Sequence, residues 1–288
     1  MKKIFMTIVL LLIVISTTGC LKSDKMVNIN ITTTIYPIEY VTNRLYGEKS
    51  NIKSIYPRNS ISESYQMTNK QLKDFSENDL FIYNGDSKEK EYATKMLNYN
   101  KRLKIIDASY GLDTTNTRSD VWLNPSNILM IGQNIKNELT DYITANHIKQ
   151  EIEEKYTLLK IDITELETEL QKTAENSVNN KIIVADESLN FLNKYGFEVI
   201  NLTENGKTKE ANIETAKNLI LNKKNSYIFI MEHSKKNDAA TDLKDAYKVE
   251  TLEFRTLDTI TEKDESNNED YLSIMHNNVS LLQKETYK

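Results

Sequence analysis

Apolar and β-branched runs recur along the chain, separated by stretches whose apolar residues fall three and four apart. In the first half the strand-like runs are residues 28–34, 52–56, 80–84 and 103–107; in the second they are 181–185, 198–202, 226–231 and 249–254. Helical patterns lie between them, at 37–46, 89–97, 210–222 and 236–247. Alternation of this kind predicts a parallel sheet flanked by helices, here twice over. The stretch 147–176 contains neither Gly nor Pro, and Ile148, Ile152, Tyr156, Leu159, Ile163, Leu166 and Leu170 form one apolar helical face. A coiled-coil dimerisation helix would share that pattern. The α/β flanks on both sides favour a spine instead. The expected fold is therefore α/β, with two lobes of parallel sheet flanked by helices, joined by one long spine helix, in a monomer. A spine without a Gly or Pro hinge predicts little relative movement of the lobes. Ligands of such sheets bind at the carboxyl ends of the strands, often between domains.

The amino terminus has a separate pattern. Met1-Lys2-Lys3 is followed by an apolar run over residues 4–15, broken only by Thr7. The run falls short of the ~20 residues a membrane-spanning helix needs and matches a signal-peptide core. Ser16-Thr17-Thr18-Gly19-Cys20 then resembles the lipobox of bacterial lipoproteins, with Thr17 where Leu is usual. That resemblance implies that Cys20 is lipidated and becomes the first residue of the mature chain. The expected organisation is a signal peptide at 1–19, a lipidated tether at 20–27, an N-terminal lobe at 28–145, the linking helix at 146–178 and a C-terminal lobe at 179–288. The protein would then be lipid-anchored at the cell membrane, facing outward.

Composition narrows the function. Hydrophobic residues are 39% of the 288 and charged residues 27%, a soluble globular balance that excludes a multi-span membrane protein or a fibrous repeat. Removing Lys2 and Lys3 with the signal leaves 35 basic against 42 acidic residues, a net charge of −7. Such a chain, lacking a basic run, has no grip for a phosphate backbone, so nucleic acid is not a partner. The single cysteine precludes an intrachain disulfide and a cysteine-built zinc site, and the three histidines (His147, His233, His276) are scattered. No Gly-x-Gly-x-x-Gly, phosphate-cradling Gly-Lys-Ser or Gly-x-Ser-x-Gly motif is present, so no enzyme is expected.

Several segments resemble zinc/manganese solute-binding proteins of ABC transporters. They are Thr33-Thr34-Ile35-Tyr36-Pro37, Asp79-Leu80-Phe81-Ile82-Tyr83-Asn84-Gly85, Asp120-Val121-Trp122-Leu123-Asn124-Pro125, Lys194-Tyr195-Gly196-Phe197, and Asp270-Tyr271-Leu272-Ser273-Ile274-Met275 with Asn278. They occur in family order from about residue 28 to the end. The resemblance implies two α/β lobes on a rigid helix, a divalent metal in the cleft, and an ABC permease and its ATPase as partners. The family's ligands are two histidines from the first lobe, a His or Glu from the second, and an Asp near the end. Here Tyr65 matches the Tyr of the "P-H-x-Y" motif, so its histidine falls on Glu63. The second histidine falls on Asp120, the third position on Asp186 or Glu187, and the fourth on Asp258. The family's histidine-rich loop is absent. Four carboxylates without imidazole suit a hard cation such as Mn²⁺ better than Zn²⁺. The implied function is capture of a metal of the Mn or Zn class for import. The alternative is a degenerate member without metal, acting as an adhesin-like surface lipoprotein. His233, at a strand's carboxyl end, is a further potential imidazole donor, more simply read as an exposed loop residue. Trp122 and Tyr65 are expected near the cleft.

Overall fold

The computed structural model describes residues 24–112 and 121–288; Cys20 and Asp120 lie outside the described residues. In the first lobe the order is β1 (Ile29–Thr33), α1 (Tyr36–Tyr46), β2 (Ser50–Ser54), α2 (Asn69–Ser76), β3 (Leu80–Tyr83), α3 (Glu89–Tyr99), β4 (Lys104–Asp107) and α4 (Pro125–Tyr142). The spine α5 (Asn146–Glu175) follows. The second lobe has β5 (Lys181–Val184), a 3₁₀ stretch (Glu187–Tyr195), β6 (Glu198–Asn201), α6 (Glu210–Leu221), β7 (Tyr227–Met231), α7 (Asp238–Tyr247), β8 (Glu250–Phe254), α8 (Glu262–Ser266) and α9 (Tyr271–Thr286). Every strand pair in the two main sheets is parallel, and the orders are β2-β1-β3-β4 and β8-β7-β5-β6.

The two sheets share one topology. Numbered within its own lobe, each runs 2-1-3-4, so the chain reverses direction across the sheet between the first and third strands. That switch point opens a crevice at the strands' carboxyl ends. Helices cover both faces of the sheets, so interior strands bury apolar runs; Leu80, Phe81 and Ile82 of β3 are fully buried, as are Ile182, Ile183 and Val184 of β5.

The 30-residue spine α5 extends roughly 45 Å at about 1.5 Å per residue. Its apolar stripe, from Ile148 through Leu170, is buried against α4 on the first-lobe side and α9 on the second. One apolar core therefore runs through both lobes along the spine. Within the stretch read as a tether, residues 24–27 pack against the first lobe. Met26 is buried, and its carbonyl accepts the Tyr46 hydroxyl at 2.8 Å. The Asp24 carboxylate accepts from Thr144 N, Thr144 Oγ1 and Ala145 N just ahead of the spine.

The lobes also meet directly, along one wall of the cleft. Tyr36 N donates to Asp258 O at 2.9 Å, Thr259 Oγ1 to Ser60 O at 2.6 Å, and Arg58 Nε to Glu265 at 2.9 Å. Behind that wall Trp122 Nε1 donates to Thr256 O at 2.6 Å, and Tyr271 OH to Trp122 O at 2.7 Å.

Candidate metal-binding cleft

A cleft of about 860 Å³ lies between the lobes, and its lining follows from the topology. Ile35 comes just after β1, Tyr56 after β2, residues 84–89 after β3, residues 185–188 after β5, Thr203 after β6, residues 232–237 after β7, and Thr256 with Asp258 after β8. Glu63, Asp186, Glu187 and Asp258 all line it, as do Trp122 and His233. Both switch points thus face the same space.

Asp258 is buried, and its position rests on a strained turn. The preceding Leu257 is fully buried with φ of 61°, a left-handed conformation that a branched side chain adopts at a cost of about 1–3 kcal/mol. Burial of the leucyl side chain holds that turn in place and presents Thr256 and Asp258 to the cleft. Asp258 Oδ1 accepts from Thr256 Oγ1 at 3.0 Å, while Oδ2 accepts from Ser62 N at 3.1 Å and Ser62 Oγ at 2.8 Å. The carboxylate of the second lobe is therefore clasped to a loop of the first.

Glu63 is exposed on that loop, and its side chain has no hydrogen-bond or ion-pair partner among the described residues. The loop itself is anchored by Lys88, whose Nζ donates to the carbonyls of Ser62 at 2.7 Å, Glu63 at 2.8 Å and Tyr65 at 2.7 Å. Beneath it Glu89 is buried, accepting from Tyr56 OH at 2.8 Å and Asn84 N at 2.9 Å, and burial pushes its carboxyl up. At the turn into this region Gly85 N donates to Asp107 Oδ1 at 3.0 Å, and a Cβ on residue 85 would lie 1.8 Å from Asp107 Oδ2 and displace that carboxylate.

On the opposite wall Asp186 accepts from Ser188 N at 2.9 Å, capping the 3₁₀ stretch. Glu187 Oε1 accepts from Asn205 N at 3.2 Å. His233 is exposed, at φ of 59°, its Nε2 3.7 Å from Glu232 Oε1. Glu232 Oε2 in turn accepts from Arg255 Nε at 2.8 Å, and Arg255 also grips Asp264 at 2.8 and 3.2 Å. Burial works against the Asp264 charge, but Arg255 and the Thr261 cap hold its carboxyl at about 2. Among the described residues no three acidic or imidazole groups converge closely enough to hold a metal ion. The cleft brings Glu63 of the first lobe and Asp186, Glu187 and Asp258 of the second to one space. The sequence reading did not single out Lys88, Ser62 or Thr256 as parts of this arrangement.

Comparison with known proteins follows the same lines. The model of the family described as zinc-uptake complex component A, periplasmic, matches residues 31–285. The zinc-binding lipoprotein AdcA of Streptococcus pneumoniae is 22% identical over 285 residues, covering 90% of this chain and 56% of AdcA. The chain thus spans about half the length of that relative. The manganese ABC transporter substrate-binding lipoprotein PsaA of Streptococcus anginosus is 27% identical over 246 residues, covering 76% of this chain and 78% of PsaA. The Zn(II)-bound ZnuA-like domain of S. pneumoniae AdcA superposes with a TM-score of 0.72 at 19% identity, covering 91% of this chain and all of that domain. Among the described residues no helix is long and apolar enough to cross a membrane. With two parallel sheets on a spine helix and the family model matching nearly the whole described chain, this protein belongs to the zinc-uptake complex component A (ZnuA) family, one of uptake-complex components rather than enzymes.

Proposed function

We propose that the protein is the extracytoplasmic substrate-binding lipoprotein of an ABC importer, anchored through Cys20, and that its cargo is a divalent metal ion of the zinc or manganese class. The ion would be received in the cleft and passed to a permease driven by its ATPase. The observation that carries this reading is the meeting of both switch points in one cleft that contains Glu63, Asp186, Glu187 and Asp258. Asp258 would be the central ligand, Glu63 the first-lobe donor and Asp186 or Glu187 the second-lobe donor, with Asp120 as the remaining acid. Oxygen donors of this kind suit divalent cations. Relatives described as binding zinc or manganese support the same cargo class. The test is elemental analysis of soluble protein beginning at Lys22, purified without added metal. About one equivalent of zinc or manganese supports the reading. Metal-free protein that also fails to take up either ion points to the degenerate surface lipoprotein.

A further inference from the structure

We infer that Lys88 is a positioning residue of the cleft: a cation built into the chain that holds the loop bearing Ser62 and Glu63 in the geometry that receives the cargo. The inference rests on the metal-capture reading above, and begins with three carbonyls. Ser62 O, Glu63 O and Tyr65 O all lie 2.7–2.8 Å from Lys88 Nζ. Carbonyls of one short loop turned toward a single point form an oxygen nest of the kind that otherwise surrounds a cation. An ammonium has three donors and no acceptor, and here all three are used. Among the described residues no carboxylate lies within ion-pair distance of it, although the charges of Glu89 and Glu63 are near.

The position itself argues against an incidental contact. Lys88 is the N-cap of α3, and a cation at a helix N-terminus opposes the helix dipole. Glu89 and Glu91 in the first turn offset that cost. The loop in turn reaches across the cleft, since Ser62 N and Oγ both bond Asp258. Lys88, the loop and Asp258 therefore form one continuous chain from α3 to the second lobe, with Glu63 projecting from its middle. Since the ammonium already fills the carbonyl nest, the cargo is left to the side-chain carboxylates.

Lys88→Met keeps the aliphatic length and removes the donors; Lys88→Ala opens a hole that a small amine fits. Metal affinity is measured by titration, and loop order by hydrogen exchange at the amides of residues 62–65. Lys90→Met, at an exposed residue of α3 without an ion-pair partner among the described residues, is the control. Lys88→Met is expected to lose at least tenfold in metal affinity and to exchange those amides at least tenfold faster, with the circular dichroism spectrum retained. Ethylammonium should restore both properties to Lys88→Ala, whereas tetramethylammonium, which has no N–H donor, should not. Wild-type affinity and exchange in Lys88→Met would overturn the inference, as would equal rescue by both amines. If wild-type protein binds no metal at all, the metal-capture reading fails separately. The exchange and amine-rescue measurements still decide whether Lys88 holds the loop.

Discussion

Replacing Ser62 with Ala removes one of the bonds that clasp the lobes while leaving the backbone donor in place. In the structure Ser62 Oγ lies 2.8 Å from Asp258 Oδ2, and both residues are buried. A hydrogen bond to a charged acceptor contributes about 1.5–3 kcal/mol. Asp258 keeps Ser62 N and Thr256 Oγ1 as donors, which places the loss at the lower end of that range. For a chain of this size about 1.5 kcal/mol corresponds to a fall in Tm of roughly 3–6 °C. The consequence for cargo has the opposite sign. The hydroxyl occupies a lone pair that a metal ion would use, so its removal should leave divalent affinity unchanged or a few-fold tighter. The assay is thermal unfolding of chelator-treated protein, followed by titration of Zn²⁺ and Mn²⁺ into wild type and Ser62→Ala. A variant as stable as wild type that also binds metal more weakly would refute the reasoning. The hydroxyl would then be a cargo contact and not a clasp.

Asp264→Asn tests the ion-pair cluster behind the clasp. Its carboxyl sits at about 2 in the folded protein against about 3.9 in an unfolded chain, so its stabilisation is present above pH ~4 and lost as pH falls through 2. The shift corresponds to about 2.6 kcal/mol; urea unfolding should show that deficit for the variant at pH 7, and the two proteins should converge toward pH 2. A deficit that persists undiminished in acid would contradict it. Cys20→Ser should release the protein from membranes into the surrounding medium, measured by fractionation, and unchanged retention would remove Cys20 as the anchor.

Much of the architecture is legible from residue pattern because interior parallel strands are covered on both faces. Residues 80–83 and 182–185 are apolar without interruption, and the spine's stripe repeats over its whole length. The edge strand β2 was harder to place. The sequence reading put it at 52–56, whereas the structure forms it at Ser50–Ser54, a mostly polar stretch in which half-buried and exposed residues alternate. The apolar weight at Ile55 and Tyr56 belongs to the buried loop that follows. Helix α2 escaped hydrophobic periodicity because only Leu72 and Ser76 are buried; the capping box of Thr68 and Gln71 was its readable signal. At the site, alignment to family motifs pointed to Glu63, Asp186, Glu187 and Asp258, which line the cleft, but not to the groups that bond them. The bonds that occupy Asp258 come from residues 196 and two positions away, and Lys88 binds backbone carbonyls, which have no sequence signature.

The central claim is that the cleft takes a divalent metal through Asp258. It is tested most directly by calorimetric titration of chelator-treated protein with Zn²⁺ and Mn²⁺, comparing wild type, Asp258→Ala and the exposed spine control Glu154→Ala. The account predicts one ion per chain in wild type and control, and at least tenfold weaker binding in Asp258→Ala. The oxygen donor set should also narrow the margin by which Zn²⁺ ordinarily exceeds Mn²⁺. Binding by Asp258→Ala equal to wild type, or no binding of either ion by any of the three proteins, would contradict it.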